Sequence, residues 1–189
     1  MNYQSVVKDL TKTLEEFFRA KGEVFKSAVD IVCECLNSGH KILAFGNGGS
    51  AAQAQHFASE LVNKFLKVRP AIAAVALTTD TSSLTSIAND SSFDFVFSRQ
   101  IEALGKRGDV ALGISTSGES PNVIEAIKTA KKRGLLTVAL TGEGGGKLAS
   151  LTEYLLDVPS RETPRIQEAH LLLIHVLAEE IEKKVSSES

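Results

Sequence analysis

The chain has 189 residues, 43% of them hydrophobic and 23% charged, with a formal net charge of −2. That is the balance of a soluble globular protein with one sizeable core, and it contains no basic stripe of the kind nucleic acid requires. The N-terminus MNYQSVVKDL lacks a signal-peptide pattern, and the longest apolar run, 171–178, falls short of the roughly 20 residues of a membrane span, so we expect a cytoplasmic protein with neither nucleic acid nor membrane as partner.

Short β-rich runs alternate with helical patterns along the chain. A helical stretch at 5–37 comes first and is expected to break near Lys21-Gly22, because glycine costs about 1 kcal/mol in a helix interior. Cys33 and Cys35 lie in it at i, i+2, on different sides, which argues against a disulfide or a shared metal. Strands are expected at 41–45 (KILAF), 71–77 (AIAAVAL), 109–114 (DVALGI), 135–140 (LLTVAL) and 154–158 (YLLDV). Their nearly continuous apolar character suits strands buried on both faces. Further helices are expected at 51–66, 94–105, 121–133 and 164–185. Pro121 fits the first turn of its helix, with Ser120 as N-cap. Strand and helix in alternation argue for α/β, one open parallel sheet covered by helices.

Two segments run strand, small-residue turn, helix N-terminus: KILAFGNGGSAA and DVALGISTSGESPN. In an open α/β sheet ligands sit outside the carboxyl ends of strands, so both turns belong on one rim. In the first, Gly46, Gly48 and Gly49 permit positive φ and close approach of a ligand to free helix N–H groups. It is not the dinucleotide fingerprint, which needs glycine where Ala51 stands, and a tight turn without ligand is the alternative. In the second, Ser115, Thr116, Ser117 and Ser120 offer four hydroxyls, more than one helix cap needs, and no cation lies among them. A phosphate there would be held by neutral donors and the helix dipole. Residues 141–147 have the outline of a P-loop, but Thr141 replaces the first glycine and Leu148 the required Ser/Thr, so we read a plain loop.

Titratable residues sit close to both turns in sequence or on the last helix. His56 and Glu60, at i, i+4, share a helix face just after the glycine turn, placed to bind metal or move protons, or else to form a solvated pair. Asn89-Asp90 reads equally as a ligand contact or a helix cap. On the last helix, Gln167 lies eight positions before His175, about 12 Å of rise and some 80° round the axis. The two reach one point only by leaning toward each other. A lone His175 in LLLIHVL is otherwise a satisfied core residue.

Taken together, GNGGSAAQAQHFASEL, SIAND, DVALGISTSGESPNVIEAI, LTGEGGGKLA and PRIQEAHLLLIH resemble the SIS sugar-phosphate family, and within it the phosphoheptose isomerases. The resemblance runs in one order from about residue 36 to 184. It implies a single SIS-type three-layer sandwich over 1–189, with about five parallel strands flanked by helices in a flavodoxin-like arrangement. The N-terminal helical segment, about 1–37, would pack on that sandwich or on a neighbouring subunit. The resemblance implies conversion of sedoheptulose 7-phosphate to D-glycero-D-manno-heptose 7-phosphate, an early step toward ADP-heptose for lipopolysaccharide or capsule.

Position by position, it implies substrate contacts at Asn47, Gly48, Gly49, Glu60, Asn89, Asp90, Ser115, Thr116, Ser117, Ser120 and Gln167. It implies one zinc ion per subunit on His56, Glu60, Gln167 and His175, with Glu60 and His175 as the catalytic pair. It also implies a homotetramer whose sites are shaped by more than one subunit, which would ease the Gln167–His175 spacing. Pro164 stands where some relatives carry an aspartate, so any role of that acid is absent here or supplied elsewhere. Two alternatives stay open: a non-catalytic SIS protein that binds a replication-initiator partner, or an isomerase of another sugar phosphate. The non-catalytic relative lacks the matching glutamate and histidine, whereas Glu60 and His175 are both present here.

Overall fold

A computed structural model describes residues 3–185. The chain begins with helix α1 (Tyr3–Asn37), then strand β1 (Ile42–Gly46), α2 (Gly49–Val62) and a short β2 (Ala74–Ala76). Next come α3 (Thr81–Asp90), α4 (Ser98–Leu104), β3 (Val110–Ser115), α5 (Pro121–Lys132) and β4 (Leu136–Thr141). Strand β5 (Tyr154–Asp157) and helix α6 (Thr163–Val185) complete the order.

The five strands are all parallel, in the order β2-β1-β3-β4-β5. This is the flavodoxin-like winding that the family resemblance implies, with its switch point between β1 and β3. The period-two alternation of strand side chains divides the core in two. Ile42, Ala44, Leu112 and Ile114 face a cluster completed by α1, α2 and α6. Leu43, Phe45 and Ala111 face the opposite cluster, completed by α4 and α5. Helices on both faces give the three layers.

The structure departs from the expected elements at four points. Helix α1 is continuous through Gly22. Phe17, Phe25, Val29 and Val32 bury one stripe of it in the core on both sides of the glycine, and this burial outweighs a penalty of about 1 kcal/mol. Helix α2 stops at Val62 rather than 66, because the N–H groups of Phe65, Leu66 and Lys67 bond the Glu182 carboxylate instead of continuing the helix. Helix α3 was not foreseen; it has no buried residue and starts from an Asp80 cap whose side chain accepts from Ser83 N–H at 3.0 Å. In place of one helix at 94–105, a 3₁₀ turn at Phe93–Phe95 precedes α4.

Candidate active site

Strand β1 ends at Gly46, where the chain must pass very close to β3. A Cβ on Gly46 would stand 2.6 Å from the Ile114 carbonyl oxygen, so only glycine fits. Gly48 turns the chain at φ +53 into α2, whose start has no side-chain cap. Ser50, Ala51 and Ala52 N–H at the start of α2 already donate to the Asn47 and Gly48 carbonyls, at 2.9–3.3 Å, which leaves the Gly49 N–H as the donor the turn can offer a ligand.

At the neighbouring strand end, Ser115 is buried and its hydroxyl lies 3.0 Å from that of Ser120. Ser120 occupies the N-cap position of α5 but makes no capping bond with its side chain. That corrects the expected role: the hydroxyl turns into the loop rather than onto the helix. Ser117 accepts from Glu119 N–H at 3.1 Å, and Gly142 N–H donates to Thr116 O at 2.9 Å. Gly118, at φ +66, packs so tightly on the next loop that a Cβ would stand 2.0 Å from Gly145 O. The Glu119 carboxylate then accepts from Lys147 N–H at 2.8 Å and pairs with its ammonium at 2.8 Å. Both turns thus lie on one rim, as expected. Asn47 and Asn122 join them through paired side-chain amide bonds.

Beside Thr116 and Ser117 opens a cavity of about 320 Å³, lined also by Glu143, Ser160, Arg161, Thr163 and Ile166. Arg161 brings a cation to this hydroxyl-lined space, where it pairs with Glu143. The serine turn itself has none, so the cation could not be read from the motif. A second cavity, of about 140 Å³, sits over the glycine turn and is lined by Asn47, Gly48, Thr78 and Phe93 among others.

Helices α2 and α6 bring His56, Glu60 and His175 together. The two Nε2 atoms are 2.9 Å apart, and Glu60 Oε1 is 3.2 Å from His56 Nε2. One ligand atom from each residue lies within 4.8 Å of the other two, and all three residues are partly exposed. The single Nε2 proton of a neutral His56 cannot serve both neighbours. Tetrahedral zinc with Zn–N of about 2.0–2.1 Å separates two ligand nitrogens by about 3.3 Å, close to what is found. Two imidazoles and a carboxylate around one point therefore form a donor set of the kind a metal ion such as zinc takes. Phe65 stacks on His175, ring centroids 5.5 Å apart.

Gln167 does not join this cluster by a hydrogen bond. Its amide lies against Gly49, where an added Cβ would come within 2.5 Å of Nε2, and it makes no hydrogen bond among the described residues. The Gln167 carbonyl accepts from Gln53 Nε2 at 2.7 Å, which fastens α6 to α2. Asn89 and Asp90 form the exposed last turn of α3, where Asn89 Nδ2 donates to Asp90 Oδ1 at 2.8 Å. No hydrogen bond ties them to either turn. Three residues with no local signal shape the site: Asn122, Gln53 and Arg161 matter only through distant partners.

Deeper in α6, His170 is wholly buried and its Nε2 donates to Thr141 O at 3.0 Å. Burial pushes its pKa down to about 4, against the opposing effect of that bond. It is a neutral core residue behind the site.

The SIS domain family matches residues 5–142; Gln167 and His175 lie beyond that stretch, on α6. A phosphoheptose isomerase of Campylobacter jejuni is 54% identical over 172 residues, spanning 91% of this chain and 92% of the relative. One from Thermodesulfovibrio yellowstonii is 51% identical over 168 residues, spanning 89% and 84%. Among solved structures, phosphoheptose isomerase GmhA from Neisseria gonorrhoeae superposes with a TM-score of 0.90 at 47% identity, covering 96% of this chain and 97% of that one.

Proposed function

This chain belongs to the SIS domain family and, within it, to the phosphoheptose isomerases, and we propose that it converts sedoheptulose 7-phosphate to D-glycero-D-manno-heptose 7-phosphate. The observation that carries the reading is the meeting of Glu60 and His175, from helices far apart in sequence. The same meeting favours an enzyme over the partner-binding alternative.

In this reading the phosphate rests on Ser115, Thr116, Ser117 and Ser120 and on the N–H groups at the start of α5. Remote binding energy then holds the reacting end in place. Asn47, Gly48 and Gly49 take the sugar hydroxyls, with Gln167 reaching in from α6 and Asn89 and Asp90 from α3. Glu60 removes a proton from C1 and returns it to C2 through a cis-enediol. His175 carries the proton from the C1 hydroxyl to the C2 oxygen, so that the ketose leaves as the aldose with no net change in protons. Positioned acid–base groups of this kind contribute about 10²–10⁴-fold each. His56, Glu60 and His175, with Gln167, would hold one zinc per subunit, which supplies Lewis-acid polarisation of substrate oxygens when bound.

We further propose that the chain acts as one SIS unit in a cytoplasmic homotetramer, feeding ADP-heptose synthesis for lipopolysaccharide or capsule. Exposed Val7 on α1, Leu171 and Leu172 on α6, and Val68 are apolar surface that a second subunit would cover, which supports the oligomer. No helix among the described residues is long and apolar enough to cross a membrane.

The test is coupled turnover of sedoheptulose 7-phosphate by the purified protein, before and after chelation, with zinc restored. Glu60→Gln and His175→Gln should each lower kcat by about 10²–10⁴-fold. Near-full turnover by either folded variant removes the scheme.

A further inference from the structure

We infer that Arg69 and Glu182 are positioning residues: a buried ion pair that fixes the helix bearing His56 and Glu60 against the helix bearing His175. The inference rests on the reading of those three residues as the reacting centre.

Both side chains are almost fully buried, Arg69 at 2% and Glu182 at 1% exposure, and their closest atoms are 3.1 Å apart. Such pairs are seldom kept for stability, since apolar side chains of similar volume often serve as well or better. What distinguishes this pair is where its remaining hydrogen bonds go. Helix α2 ends at Val62 and leaves its last carbonyls in need of donors. Arg69 serves two of them: Nη2 donates to Glu60 O at 2.8 Å, and Nη1 to Leu61 O at 2.8 Å, which also accepts from Ile72 N–H at 3.0 Å. The guanidinium therefore holds the backbone of the proposed base itself.

Glu182 performs the matching task on α6. It lies seven residues, or two turns, beyond His175 and on the same helix face. Its carboxylate accepts from Phe65 N–H at 3.0 Å, Leu66 N–H at 2.8 Å and Lys67 N–H at 2.9 Å. Burial alone would raise its pKa, but these three bonds and the Arg69 charge hold it below the ordinary value. The first of these N–H groups belongs to Phe65, whose ring lies on His175. A closed circuit results, from Glu60 through Arg69 to Glu182, along α6 to His175, and back through Phe65. The pair touches neither turn of the anion rim.

Arg69→Lys, Arg69→Met and Glu182→Gln in the full-length protein test this. Three readouts are needed: thermal unfolding, cobalt(II) affinity, and kcat and KM for sedoheptulose 7-phosphate. Arg69→Lys keeps the charge opposite Glu182 but cannot reach both carbonyls. It should stay folded, lose about 10–100-fold in cobalt(II) affinity, as loss of a supporting residue behind a metal site typically does, and lose at least about tenfold in kcat. KM should change less than about twofold, because the phosphate grip is untouched. If Arg69→Met fails to fold, Arg69→Lys and Glu182→Gln carry the comparison. Folded variants with wild-type cobalt(II) affinity and wild-type kcat, differing only in unfolding temperature, would reduce the pair to a structural role and overturn the inference. Should the wild-type protein fail to turn over the heptulose phosphate, the isomerase reading falls. Weakened cobalt(II) affinity in the variants would then still support the strut, and equal affinity would overturn it.

Discussion

Asn47 and Asn122 hold each other by a reciprocal pair of amide bonds, each 2.8 Å long, across 75 residues of sequence. Asn122 is 2% exposed, so truncating it leaves the Asn47 amide without its partner. Asn122→Ala should cost roughly 1–3 kcal/mol by urea unfolding. Removing both side chains should cost less than the sum of the single changes, because the second removes no further bond. The KM for the sugar phosphate should rise in every variant, since Asn47 is no longer held at the glycine turn. Strict additivity would show that the pair is not coupled.

Gly49→Ala offers a separate test of Gln167. The new methyl would meet the Gln167 amide, 2.5 Å from Nε2, the far end of a flexible side chain. The amide should swing aside at little cost in stability, and turnover should fall several-fold with the unfolding midpoint almost unmoved. Wild-type kcat and KM in this variant would remove Gln167 from the substrate contacts.

Ser120→Ala separates phosphate binding from helix capping. Losing a serine N-cap ordinarily costs about 1 kcal/mol. Here the hydroxyl makes no capping bond, so stability should change by less than that while KM rises. A full capping penalty with unchanged KM would reverse the assignment.

His170 should make stability fall in mild acid. Burial holds it neutral in the folded protein down to about pH 4, whereas its ordinary value is 6.5. Between these limits the unfolded chain binds the extra proton, so the contribution is fully present above pH 6.5 and is lost as pH drops toward 4. The difference amounts to about 3 kcal/mol. His170→Gln should flatten the slope of unfolding free energy between pH 6.5 and 5. The further loss in stronger acid should persist, because Asp109 and Glu182 are held below their ordinary values of 3.8 and 4.5. An unchanged slope in His170→Gln would show that another group drives the mild-acid loss.

The sheet, both strand-to-helix turns and the His56–Glu60 pair were legible because each is written locally, in apolar runs, small residues after a strand, or an i, i+4 spacing. Helix α3 was hidden by its serines and threonines and by an apolar face of only Leu84, Ile87 and Ala88, which are half-buried against the core. Gly22 misled because propensity weighs one residue, while Phe17 and Phe25 on either side are held by a core assembled later. Arg69 and Glu182 carry no local mark at all, since their meaning arises from contact across 113 residues. The convergence of Glu60 and His175 came from family likeness before geometry showed it. Gln167 lies at the glycine turn by its packing on Gly49, a placement that helical spacing from His175 alone did not give.

Because β1 and β3 are direct neighbours in the sheet, the gap between the glycine and serine turns is set by the spacing of adjacent strands, about 4.8 Å. The chain between them, with β2, α3 and α4, has no part in that measure. Changes of length or sequence in the α3 region therefore leave that gap unaltered. Under the proposed isomerase reading, the residues offered to the charged end and those offered to the carbon skeleton would be free to vary separately.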